Sequence, residues 1–156
     1  MSALAWRRWR EPLLVAVALT GEVIIFLLVT LLVDRPRPPV RHLDQAPPTS
    51  SFPSGHTAAA IVMYGALAVL ASERARSAAV KGLFIALAVA VPVLVGLARL
   101  YRGMHFTSDV LGGALLGVSW LLVSVRGVRL GVLHDQLAGD AAGARPPGRR
   151  TTVRHG

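Results

Sequence analysis

The 156-residue sequence contains no cysteine, which excludes disulfides, thiolate-held metals and a cysteine nucleophile. It is poor in aromatic residues (6%) and in charge (16%), and acidic side chains are scarcest, with 8 Asp and Glu against 17 Lys and Arg. In a soluble domain that imbalance would point first to nucleic acid. What the chain has instead is apolar length: 53% of its residues are hydrophobic and its mean hydropathy is +0.55. The basic residues fall between long apolar runs, so membrane topology accounts for them and no nucleic-acid partner is expected.

Apolar runs at about 12–33, 56–72, 80–98 and 109–125 predict an all-α, multi-pass transmembrane bundle of about four spanning helices, since a spanning helix needs roughly 17–25 residues. The first run follows Arg7, Arg8 and Arg10. It is too long for a signal-peptide core and has no small-residue cleavage site, so it reads as a retained helix. The organisation expected is a basic N-terminus (1–11), a membrane domain (12–125) with loops at 34–55 and 99–108, and a basic tail (126–156). The tail, which includes the Arg145-Pro146-Pro147-Gly148-Arg149-Arg150 stretch, is predicted to be disordered.

Positive charge sets the orientation. With a cytoplasmic N-terminus, 12 of the 17 basic residues lie inside: Arg7, Arg8, Arg10, Arg74, Arg76, Lys81 and the six arginines of the tail. Both termini are then cytoplasmic in a cell-membrane protein. The five exceptions, Arg35, Arg37, Arg41, Arg99 and Arg102, fall in the two outer connections with His42, Asp44, His56, His105 and Asp109. Cations kept on the disfavoured side, beside histidines and carboxylates, predict an anion site on the outer face.

Three pieces carry that prediction. Arg37 sits among Pro36, Pro38 and Pro39, which stiffen the backbone behind a guanidinium fork that matches two phosphate oxygens. Pro53-Ser54-Gly55-His56 precedes an apolar helix: Ser54 can cap it, Gly55 lets an oxyanion approach the backbone, and His56 stands where a proton donor is needed. His105 and Asp109 are four residues apart and share one helix face; a carboxylate accepting from one ring nitrogen would leave the other free to attack. Arg99 lies in the same connection. Each piece has a plainer reading. Ser before a helix is commonly only a cap, a His-Asp pair can cap a helix, and a Pro-Arg loop can bind headgroups nonspecifically.

In this order the residues resemble the three-part signature of the type-2 phosphatidic acid phosphatase superfamily: Lys-x6-Arg-Pro, Pro-Ser-Gly-His and Ser-Arg-x5-His-x3-Asp. The resemblance covers about residues 20–125. It implies a membrane phosphatase acting on lipid phosphate or diphosphate esters, such as undecaprenyl diphosphate or phosphatidate-like lipids. His105 would be the nucleophile that becomes a phosphohistidine, Asp109 its orienting partner and His56 the general acid. Arg37, Ser54, the Gly55 backbone and Arg99 would bind the phosphoryl oxygens. No metal or other cofactor is implied, and the site has arginines where a two-metal phosphatase would need clustered carboxylates. Thr30 and Ala98 stand where the family pattern has Lys and Ser. The family pattern also places two further helices ahead of the first motif, and this chain starts at the motif-bearing helix.

Glu22, midway along the first apolar run, lies by helix rise about 15–20 Å below the outer motifs, which predicts a structural role, protonated or hydrogen-bonded to a neighbouring helix. A competing class is a catalytically impaired relative that only binds membrane lipids or serves a structural role. A vanadate-using haloperoxidase shares the motifs, but its known members are soluble.

Overall fold

A computed structural model describes residues 3–143. Its elements are α1 (Ala3–Leu32), α2 (Gly55–Arg74), α3 (Ala78–Tyr101) and α4 (Thr107–Gly143), and there is no strand among the described residues. Each helix carries a stretch long and apolar enough to cross a bilayer: Glu11–Leu32, Gly55–Arg74, Ala78–Tyr101 and Thr107–Gly131. Large apolar side chains, among them Leu31, Leu32, Val89, Leu94, Leu111 and Leu115, stay exposed on the outside of these stretches. Hydrocarbon, not water, satisfies such a surface, because the helices close their own backbone hydrogen bonds.

Every expected span is present, but the helix ends differ from those read off the hydropathy. α4 continues through Gly143 where an irregular tail was expected from Arg126. No proline interrupts it before Pro146, and Leu130, Leu133 and Leu137 favour helix there. The Arg145–Arg150 stretch lies outside the described residues. α3 runs three residues beyond Ala98, so Arg99 belongs to its last turn and not to the connection. A cation in the last turn of a helix is favoured by the helix dipole.

Small residues set the packing, as expected where lipid removes the hydrophobic drive between helices. α2 is central and touches the other three helices, whereas α1 and α3 make no contact among the described residues. Gly113 and Gly117 of α4 lie against the α2 backbone: a Cβ at Gly113 would sit 2.3 Å from the Ser54 carbonyl oxygen, and one at Gly117 2.8 Å from that of Ala58. Ala18, Ala58, Val62 and Ala66 fill the interior. Trp120 Nε1 donates to the Ala18 carbonyl at 2.9 Å and ties α4 to α1. Ion pairs Arg74–Glu11 and Arg129–Glu73 join the helices at one end of the bundle. At the other end the 33–54 loop folds over the helix tips, held by Ser51 N–H to Arg35 O (2.9 Å), Leu43 N–H to Arg102 O (3.3 Å) and Ser54 N–H to Asp109 O (2.9 Å).

Candidate active site

A cavity of about 340 Å³ opens at this second end, lined by α1, the 33–54 loop, the first turns of α2, Arg99 of α3 and His105. Five of the seven residues singled out from the sequence line it: Arg37, Gly55, His56, Arg99 and His105. Ser54 and Asp109 are fully buried behind it.

The spacing of Arg99 and His105 follows from how α3 ends. Met104 N–H donates to Arg99 O (3.1 Å) and Gly103 N–H to Leu100 O (3.0 Å), the paired bonds of a Schellman turn. Such a turn needs a left-handed residue, and Gly103 supplies it with φ +69°. Met104 is then driven into the interior. The chain reverses, and Arg99 and His105 face the same cavity from the two sides of the turn.

His105 differs from expectation in one respect. Its Nδ1 lies 2.7 Å from the backbone carbonyl of Ser51 and 3.8 Å from Asp109 Oδ2. A carbonyl only accepts, so Nδ1 carries the proton and Nε2 keeps its lone pair. Ser51, not Asp109, therefore fixes the tautomer. Burial first, and then the charges of Arg37 and Arg99, pull the His105 pKa below that of an ordinary imidazole, against the opposing pull of the Ser51 bond and Asp109. The ring is held neutral.

Asp109 serves the backbone and a second arginine. Its Oδ2 accepts from Phe106 N–H at 2.8 Å, the carboxylate half of a capping box at the start of α4. Its Oδ1 pairs with Arg35 Nη1 at 2.5 Å. Arg35 also donates to Ser108 Oγ (2.8 Å) and stacks on the Phe106 ring at 4.5 Å. Charge topology places Arg35 among the five outer arginines but gives it no role in the site, and residue type does not single out Ser51. The signals for Arg35 are its place on the disfavoured side and the doubled Arg-Pro pattern, whereas a backbone carbonyl leaves none.

Arg37 donates from Nη1 to Met104 O at 2.9 Å and lies 3.5 Å from Thr49 Oγ1. Arg99 reaches Asp44 at 3.5 Å, and Asp44 is held mainly by Arg102, whose hydrogen bond depresses its pKa. The Nε atoms of Arg37 and Arg99 are both buried without a hydrogen-bond partner. Burial and the like charge of Arg99 lower the Arg37 pKa. Two like-charged, half-buried guanidinium groups lining one cavity, each with a buried Nε that lacks a partner, are a costly arrangement unless they face an anion.

Ser54 occupies the N-cap of α2 without capping it: no side-chain cap bond forms, and its Oγ pairs with Thr57 Oγ1 at 3.0 Å. The hydroxyl predicted to hold phosphate is therefore turned into the interior. Gly55 follows at the cavity wall beneath Phe26, whose ring would lie 2.8 Å from an added Cβ. Thr30, at the family's Lys position, has a buried Oγ1 with no partner. His42 Nε2 lies 3.0 Å from Pro38 O. Among the described residues, no three His, Asp or Glu side chains converge as metal ligands.

Glu22 is not remote from this end. Its neighbour one turn up, Phe26, packs on Gly55, so Glu22 stands about 6 Å of helix rise from the tip of α2. The expected hydrogen bond to a neighbouring helix is not formed: Glu22 Oε1 is buried without a partner, and the residue lines the same cavity as Arg37 and His105.

No solved structure matches the chain. Phosphatidylglycerophosphatase B of Bacillus subtilis (strain 168) is 41% identical over 69 residues, which are 44% of this chain and 34% of that protein. The chain thus spans about a third of the length of this relative. A family model described as the PAP2 superfamily matches residues 11–130, all three motif segments included, and the chain belongs to that superfamily.

Proposed function

We propose that the protein hydrolyses a phosphate or diphosphate ester of a membrane lipid, without a metal, through a phosphohistidine at His105. One observation carries this reading. Two half-buried arginines whose buried Nε atoms have no partner share a cavity with a histidine whose proton is pinned on Nδ1 by Ser51. A protein that only binds anionic headgroups has no use for that fixed tautomer.

Arg37 and Arg99 hold the non-bridging oxygens, joined by the N-terminal amides of α2 at Gly55. Nε2 of His105 attacks phosphorus; the P–N bond forms as the P–O bond to the lipid breaks, and His56 gives its proton to the leaving oxygen. His56 then takes a proton from water, which attacks the phosphohistidine and releases inorganic phosphate and neutral His105. The guanidinium groups neutralise the charge that spreads over the equatorial oxygens. Asp109 supports the reaction through the α4 cap and Arg35 more than through direct contact with His105. The positive-inside asymmetry supports placing the cavity at the outer headgroup level. Phosphatidate-like lipids and polyprenyl diphosphates both reach that level.

The test is phosphate release by detergent-purified protein from phosphatidate and from a polyprenyl diphosphate. His105→Ala is expected to reduce turnover by on the order of 10³-fold or more with helicity unchanged. Activity is expected to survive EDTA and to be blocked by vanadate. Equal turnover by His105→Ala would sink the mechanism, and loss on chelation would sink metal independence.

A further inference from the structure

The catalytic reading gives no task to Glu22. A carboxyl within a membrane helix is costly and persists where it has work to do. Glu22 is 2% exposed, its Oε1 has no partner, and no ion pair or hydrogen bond reaches it among the described residues. The residue nevertheless lines the cavity that holds Arg37, Arg99 and His105. Its surroundings on that wall are apolar: Val23, Phe26 and Leu27 of α1 and Ala59 of α2. The α1 and α3 backbones do not approach each other, and the cavity forms a cleft between α1, the first turns of α2 and Arg99 that reaches down to Glu22. A lipid whose phosphate sits between the two arginines would run its chain into this cleft and past Glu22. Because Phe26 packs on Gly55, the carboxyl stands one helical turn, about 6 Å, below the phosphate end. That depth is a few bonds beneath the phosphate, where a glycerolipid carries ester carbonyls or a hydroxyl and a polyprenyl chain carries only hydrocarbon.

We infer that Glu22 is a specificity-determining residue, a hydrogen-bonding floor that recognises lipid phosphates with polar groups just below the phosphate and disfavours polyprenyl phosphates. This rests on the phosphatase reading of the same cavity. A carboxyl can accept from a glycerol hydroxyl or, when protonated, donate to an ester carbonyl. Against an isoprenoid it would remain buried and unpaired, and sites built to hydrogen-bond a substrate reject analogues that lack the group.

The experiment compares phosphatidate with farnesyl phosphate in mixed micelles, reading the ratio of kcat/KM and, independently, the lipid-induced rise in Tm. In the wild type both readouts favour phosphatidate. Glu22→Leu, which suits a membrane helix, is expected to reduce the kcat/KM ratio at least tenfold and to erase the difference in Tm. Glu22→Gln, which still donates and accepts, holds the ratio within about threefold. An unchanged ratio in Glu22→Leu, or equal loss on both lipids in both variants, would overturn the inference and leave the phosphatase reading standing. Selective lipid binding that depends on Glu22, without turnover of either lipid, would support the inference and sink the phosphatase reading.

Discussion

Two helix N-termini lie side by side at the cavity end of the bundle, and they are finished in opposite ways. α4 closes on itself: the Asp109 carboxylate takes the Phe106 amide and an arginine besides. α2 is left open, because the one side chain that could cap it, Ser54, spends its hydroxyl on Thr57. Uncapped amides carry the positive end of the helix dipole into the cavity, whereas capped ones do not. Under the proposed function, the difference separates a start that serves the fold from one that receives an anion, although both carry residues that a motif search treats alike.

Removing the cations around the open start has the largest expected effect. Arg37→Ala should cost on the order of 10²–10³-fold in kcat/KM, as loss of a charge-stabilising donor does elsewhere, measured as phosphate release. Breaking the closed start should appear in stability. Asp109→Ala removes the α4 cap and leaves Arg35 unpaired, a loss of roughly 2 kcal/mol discounted because Arg35 is partly exposed, read as a drop in Tm.

A pH profile sharpens the contrast. Because the His105 pKa is lowered, protonation silences the nucleophile only as pH falls below 6.5, so the acid limb of kcat/KM should lie under that value. In Arg37→Ala the limb should move upward, since a charge that disfavours the imidazolium is gone. The smallest effect belongs to Ser54→Ala. An N-cap serine normally contributes about 1 kcal/mol through its cap bond, and this one makes none. Its replacement should shift stability by less than Asp109→Ala does, and a loss equal to that of Asp109→Ala would erase the distinction between the two starts.

Much of this was legible in the sequence because it depends on residue type and spacing. Apolar length located four helices, and the misplaced arginines marked the end where Arg37, His56, Arg99 and His105 gather. What was not legible depends on chain path. Ser51 acts through its carbonyl, a group every residue has, so no pattern could name it as the partner of His105. Helix rise alone puts Glu22 far below the outer motifs, because it cannot show how deep α2 starts; α2 begins beside Phe26, one turn above Glu22. Arg99 was assigned to a connection because hydropathy ends at Ala98, while the helix ends where Gly103 reverses the chain.

That reversal has a mechanical consequence. Arg99 and His105 stand on the two arms of one hydrogen-bonded turn, so they move as a unit when α3 moves. Helices tilt to match the thickness of the bilayer around them. Such tilting would carry the cation and the imidazole together and keep their separation, while the width of the gap between α1 and α3 changes. A thicker or thinner membrane should therefore alter how readily a lipid enters more than how well it reacts once inside.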